Sequence, residues 1–276
     1  TLKLFSKNPR LRTHIKLSDE IMLLIKKKKL KNFLRNSLIQ NIFFIHNRLF
    51  IYYELLELTR DKKWKFWKKL IYENDVGNPI RYFLYSESSG NRIRQVYILK
   101  KFLDTSKTIN LKKIKHIIEI GGGYGCMADI FNKLNKTSSY SIYDMYEVNL
   151  IQYYYLKMNN HNPIFNNITN KLNLINDLKN LNKYKNFKKN YLFIANWSIS
   201  EFPLKFRRKF ISLIRNSRYS IISFQDNFEK IDNLKFFNDI IKKNNDKFNY
   251  NLKPFKYYNK SILNKNKHYL LTLIKK

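Results

Sequence analysis

From residue 18 to about residue 70, Leu and Ile recur at three- and four-residue spacings among Lys and Glu, with no Pro or Gly between them. That spacing gathers the apolar side chains on one helical face and predicts helices. Ser18, Asp19 and Glu20 read as a helix start, because acids favour the positive end of a helix. The first strong break is 74–79, Asn-Asp-Val-Gly-Asn-Pro, a turn sequence that closes an amino-terminal helical part. A helix over 92–103 follows. From 115 onward the pattern changes. Short apolar runs at 116–120, 140–143, 164–166, 191–196 and 219–224 alternate with helical stretches at 126–134, 147–158, 204–214 and 233–243. Such alternation predicts a parallel sheet covered by helices. At the end, 249–258 and 267–274 read as two strands with no helix between them, hence an antiparallel closing hairpin. The expected fold is therefore α/β and Rossmann-like, a mostly parallel seven-stranded sheet. It divides the chain into a helical region, 1–105, and a sheet domain, 106–276.

Composition changes this picture little. The 276 residues, 44% hydrophobic, suffice for a full core. Fifty-four Lys and Arg against 20 Asp and Glu give a net charge of +34, which invites a nucleic-acid or anionic-membrane surface as partner. The charge is mostly Lys spread along the chain among abundant Asn, Ile, Tyr and Phe, so it reads as compositional bias more than as a binding patch. Cys126 is the only cysteine, which excludes an internal disulfide and a Cys-based zinc cluster. The most apolar stretch, 38–58, is interrupted by His46, Arg48, Glu54 and Glu57, short of the roughly 20 residues a membrane span needs. No charged-then-apolar leader follows Thr1. The expectation is a cytoplasmic protein, at most peripheral to the inner face of the membrane, and the missing initiator Met favours a fragment.

Chemistry concentrates in one place. Of six glycines, four (Gly121, Gly122, Gly123 and Gly125) fall within five residues, after the apolar strand 116–120 and before a helix. Glycine is needed where φ is positive or where a ligand approaches the main chain closely. In such sheets that position is the ligand edge. A phosphate-cradling loop would end in Gly-Lys-Ser or Gly-Lys-Thr, and Gly125-Cys-Met does not. The dinucleotide pattern would want a third glycine where Cys126 stands. The pattern E-x-G-x-G-x-G is met at Glu119, Gly121, Gly123 and Gly125, the form that methyltransferases use for S-adenosylmethionine. That cofactor carries a sulfonium and an ammonium and no pyrophosphate, so a carboxylate beside the loop helps. Nineteen residues after Gly125, a strand ends at Asp144, the spacing at which such folds set an acid on ribose hydroxyls. The bland alternatives are a helix cap for Asp144 and a structural ion pair for Glu119.

Three segments in order resemble a bacterial sugar O-methyltransferase family. They are 117–125, Ile-Ile-Glu-Ile-Gly-Gly-Gly-Tyr-Gly; 143–148, Tyr-Asp-Met-Tyr-Glu-Val, with 152–156, Gln-Tyr-Tyr-Tyr-Leu; and 196–202, Asn-Trp-Ser-Ile-Ser-Glu-Phe. Gly77-Asn-Pro also matches, so the resemblance covers about 73–227. Met145 and Tyr146 in place of Leu-Pro, Cys126 in place of a small residue and Phe202 in place of Met depart from the family pattern. The resemblance implies a class I methyltransferase domain and methyl transfer from S-adenosylmethionine to a sugar hydroxyl, as in surface polysaccharide or glycan synthesis. Cofactor contacts are then expected from Glu119, the four glycines, Asp144 and Asn196.

Beyond the strand 191–196 lie Ser198, Ser200 and Glu201, and beyond 219–224 lie Gln225, Asp226 and Asn227, all on the ligand edge. Ser198, Ser200 and Gln225 are the expected acceptor contacts, with Glu201 and Asp226 as candidate bases. For Glu201 a helix-capping role before Pro203 competes. His161, which precedes the third strand, is a weaker catalytic candidate, and no pair of residues has metal-ligand spacing. Tyr153 to Tyr155 fit a core better than base stacking. A base-directed N-methyltransferase would show Asn- or Asp-Pro-Pro-Tyr where Asn196-Trp-Ser-Ile stands. The rivals left are an RNA ribose methyltransferase and a non-catalytic module docking on RNA or membrane. The amino-terminal helices are expected to cover the acceptor or to pair two copies in a homo-oligomer.

Overall fold

A computed structural model of the chain describes residues 9–43, 48–134, 138–167, 171–186, 190–260 and 266–276, so His46 lies outside the described residues. The amino-terminal part is helical as expected, but in short pieces: α1 (Pro9–Lys26), a 3₁₀ turn (Leu30–Arg35), α2 (Ser37–Ile42), α3 (Leu49–Thr59) and α4 (Trp64–Ile71). Residues 18–20 fall inside α1 and do not start it. The next break is local chemistry: the Asn36 side chain accepts from the N–H groups of Leu38 and Ile39 and caps α2. The turn at 74–79 is present, followed by an unexpected hairpin of Arg81–Tyr82 with Tyr85–Ser89. Ser89 then accepts from Arg92 N–H and caps α5 (Gly90–Leu103), two residues earlier than the periodicity indicated.

The strands of the large sheet are β1 (His116–Ile120), β2 (Ser139–Tyr143), β3 (Pro163–Phe165), β4 (Leu172–Ile175), β5 (Tyr191–Asn196), β6 (Tyr219–Gln225), β7 (Phe248–Pro254) and β8 (His268–Lys275). Their spatial order is β7-β8-β6-β5-β1-β2-β4-β3. All neighbouring pairs from β6 to β3 are parallel, and β8 runs antiparallel to both β6 and β7. Among the described residues the sheet thus has eight strands, one more than expected: β4 is additional, and the expected third strand is the edge strand β3. Short polar-flanked strands such as Leu-Asn-Leu-Ile carry too little periodicity to stand out.

Helices α6 (Cys126–Leu134), α7 (Tyr146–Met158), α8 (Leu178–Asn182), α9 (Leu204–Arg207), α10 (Ile211–Asn216), α11 (Asn233–Lys242) and α12 (Lys256–Asn259) complete the fold. The expected continuous helix 204–214 is divided by a 3₁₀ turn at Arg208–Phe210. The expected strand 249–258 ends at Pro254 and gives way to the one-turn α12, so a helix does stand between the last two strands. Proline cannot donate to the ladder, which accounts for the stop. Interior strands such as β6 are buried at every position and read as continuous apolar runs because both faces are covered. Alternate residues feed two cores. Ile117 joins the one shared with α1 to α7, whereas Ile118 and Ile120 join the one under α8 to α11. Level pairing of Ile120 with Tyr143 brings Gly121 and Asp144 side by side.

Candidate active site

Beyond Ile120 the chain turns into α6 through the glycines, and Gly121, Gly123 and Gly125 take φ of +69°, +55° and +97°. A Cβ on Gly121 would collide with that of Ser198, and one on Gly122 would come within 2.6 Å of Ile142 Cγ2. Gly121 and Gly122 are therefore pressed between β2 and the turn after β5, where side chains do not fit. Gly121 N–H donates to Tyr143 O at 2.9 Å and ties it to the end of β2.

Two acids flank this loop. Glu119 is buried in β1 and accepts from the Tyr140 hydroxyl at 2.8 Å. Burial, aided by the Asp144 charge and opposed by the Tyr140 bond, pushes its carboxyl up to about 8. Asp144 is half-buried; Oδ1 accepts from Met145 N–H at 2.9 Å and Oδ2 from Gln152 Nε2 at 3.0 Å. Burial pushes it up to about 7, even with bonds from the Met145 and Gly122 N–H groups and Gln152 holding it down. A helix-cap role for Asp144 finds no support, since α7 starts without a side-chain cap. Carboxylates lifted this far are short of positive charge. A sulfonium and an ammonium would supply it, whereas a pyrophosphate would add to the repulsion. A turn closed to side chains at Gly121 and Gly122, flanked by two carboxyls that burial raises, fits S-adenosylmethionine.

Gln152 was visible in the sequence only as part of a motif. Its amide also donates to Gly123 O at 2.9 Å, so one side chain on α7 clamps the glycine turn to Asp144. Tyr124 anchors the turn from the other side. Its hydroxyl donates to Glu73 Oε1 and accepts from Asn91 Nδ2, each at 3.0 Å, and its ring meets Phe33, Phe43 and Tyr155 edge-on or tilted.

The acceptor candidates fall into separate groups. Ser198 lies against Gly121 and its hydroxyl donates to Ile120 O. Ser200 is buried and donates to Gln225 Oε1 at 3.1 Å, while Gln225 Nε2 donates to Glu201 Oε1 at 3.2 Å, so these three form one network. Arg207 holds the turn from behind through the carbonyls of Ser200 and Phe202 and through Asn233; nothing in a Lys-rich sequence singled it out. Asp226 accepts from Asn227 N–H at 2.8 Å, at the end of β6. Asn196 Nδ2 donates to Gln95 Oε1 at 3.1 Å, and its Oδ1 accepts from the Ser223 hydroxyl at 2.8 Å, which joins α5 to the ligand edge. His161 lies away from that group. It follows α7 and meets Asp129 Oδ1 at 2.7 Å. Arg92 and Lys133 share the same carboxylate, and despite burial this company holds Asp129 well below the usual carboxylate range.

No family model and no curated protein matches the chain. Solved structures do. Phosphoethanolamine N-methyltransferase 2 of Haemonchus contortus, in complex with S-adenosyl-L-methionine, matches at 12% identity and a TM-score of 0.48 over 79% of this chain and 58% of that one. The methyltransferase domain of a bacterial CtHen1 matches at 12% identity and 0.44, over 66% and 97%. Precorrin-6y C5,15-methyltransferase from Geobacter metallireducens matches at 11% and 0.45, over 66% and 87%. Among the described residues no helix is long and apolar enough to cross a membrane.

Proposed function

We propose that the protein is an S-adenosylmethionine-dependent O-methyltransferase whose acceptor is a sugar hydroxyl. The observation that carries the cofactor is the left-handed glycine turn held between the raised carboxyls of Glu119 and Asp144. Bound there, S-adenosylmethionine supplies an electrophilic methyl group. Asp144 would hold the ribose hydroxyls, and Glu119 would set negative charge under the loop. The acceptor oxygen must be held in line and lose its proton, and Glu201 or Asp226 takes that proton at the carboxyl ends of β5 and β6. Ser198 keeps the turn against Gly121, and Ser200 and Gln225 fix the Glu201 carboxylate. The sugar rests on the motif resemblance of 73–227. The net charge of +34, although it reads as compositional bias, invites RNA as the second reading.

Calorimetry with S-adenosylmethionine tests the cofactor, with loss of binding expected for Gly123→Arg and weakening for Asp144→Ala. Mass spectrometry of a nucleotide-sugar and glycan pool incubated with labelled cofactor tests the acceptor. Label on RNA and none on sugar refutes the sugar, and salt-sensitive RNA binding without any cofactor binding refutes the enzyme.

A further inference from the structure

Residues of α3, of the turn after β5 and of α12 with the residue before it converge on one guanidinium of α5. Arg94 Cζ lies 4.9 Å from the Phe50 ring centroid, 4.7 Å from those of Trp197 and Phe255, and 5.2 Å from that of Tyr258. Its Nη1 donates to Glu54 Oε1 at 3.0 Å. Arg94 is 6% exposed and Glu54 1%. The pair is withdrawn from water, yet among the described residues Arg94 Nη2 and Glu54 Oε2 have no hydrogen-bond partner. Buried polar groups of that kind are rare in folded proteins and call for something that meets them. Arg92 also keeps an open Nη2, but both oxygens of its partner Asp129 are taken. Among the described buried ion pairs, only Arg94–Glu54 leaves a donor and an acceptor open together.

That combination selects its ligand. A hydroxyl both accepts and donates, so one hydroxyl or two adjacent ones satisfy both atoms. A phosphate or carboxylate would meet Arg94 but be repelled by Glu54, and an ammonium the reverse. The four rings stack on the guanidinium itself and hold it in place beside Glu54. The place is right as well. Trp197 stands between Asn196, the last residue of β5, and Ser198, which touches the glycine turn; Gln95, next to Arg94, bonds Asn196. Trp197 itself has φ of +54°, a conformation that side chains rarely adopt and that cages of this kind must hold in place. Tyr258 is half-buried, so the rim of the cage reaches the surface.

We propose that Arg94 and Glu54 form a hydroxyl-reading subsite that takes a neutral polyhydroxylated ring as acceptor, with Arg94 Nη2 donating and Glu54 Oε2 accepting. It rests on the sugar O-methyltransferase reading. Burial pushes the Glu54 carboxyl up to about 7 against the pull of Arg94, in keeping with an acceptor that lacks its donor.

The test uses the full chain with labelled S-adenosylmethionine and a panel of methyl hexopyranosides, their single-deoxy forms, and their phosphorylated and uronic counterparts. Cofactor calorimetry on Glu54→Gln and Arg94→Lys verifies that each variant keeps the cofactor site. Expected is that a neutral hexoside accepts the label and that loss of one hydroxyl raises KM about tenfold or more in the parent. The same loss adds little in Glu54→Gln, while kcat moves less than KM. If only one variant folds, that one decides. Additive losses, a preference for the anionic counterparts, or a deoxy series with unchanged KM, as a resident water alone would give, overturn the subsite and leave methyl transfer standing. Label on RNA alone, or no cofactor binding, overturns the function beneath it.

Discussion

The acids beside the glycine turn make cofactor binding a proton-coupled event. With Glu119 at about 8 and Asp144 at about 7, the free protein at pH 7 keeps most of a proton on the first and about half of one on the second. A bound cation favours the Glu119 carboxylate, and ribose hydroxyls favour that of Asp144. Both acids then return toward the ordinary range and let go of their protons. Binding at pH 7 is expected to release between one and two protons, and affinity to fall by roughly fiftyfold from pH 7 to 6. Calorimetric titration in phosphate and in Tris, whose ionisation heats differ, measures the release directly. Glu119→Gln should remove most of it. The same substitution has a signature without cofactor. A carboxyl raised by folding stabilises the protein below its unfolded value, and that stability is lost as pH rises through the folded one. Glu119→Gln should therefore raise the melting temperature of the cofactor-free protein at pH 9, by roughly 5 °C or more, and leave it unchanged at pH 5. Identical heats in the two buffers, or an equal effect of the substitution at both pH values, would refute the reasoning.

Two other substitutions probe the supports of the site. Gly121→Ala combines a φ of +69° with a collision against Ser198, and should weaken cofactor binding at least tenfold by calorimetry while the chain still folds. Asp129→Asn removes the carboxylate shared by buried Arg92, Lys133 and His161, and should cost about 3–5 kcal/mol in urea unfolding, with cofactor affinity little changed once the protein is folded.

What was legible in the sequence was whatever repeated or clustered. The apolar runs at 116–120, 191–196 and 219–224 match β1, β5 and β6 because both faces of a parallel strand are buried and leave a strong signal. The glycine cluster fixed the loop, since backbone constraints are written in residue type. Contacts between distant segments were not legible. Gln152 sits eight residues from Asp144 and was seen only as part of a family motif, and nothing in the order of residues says that it bridges that acid to Gly123. Glu54 stood out in the sequence merely as an interruption of an apolar stretch. Its partner is 40 residues away, and only folding places the two together under four rings. His161, read from the sequence as a weaker catalytic candidate, meets in the fold the carboxylate that also holds Arg92, a contact no spacing announced.

Tyr124 belongs to the glycine turn, yet its hydroxyl is held by Glu73 and Asn91 and its ring by Phe33 and Phe43. The first helices are thus the floor on which the turn rests. Order in those helices and occupancy of the cofactor site become linked equilibria, each raising the other by the same factor. A lesion in α2, some 80 residues from the motif in sequence, would then present itself in the assay as a defect in cofactor affinity, and a saturating cofactor would rescue it.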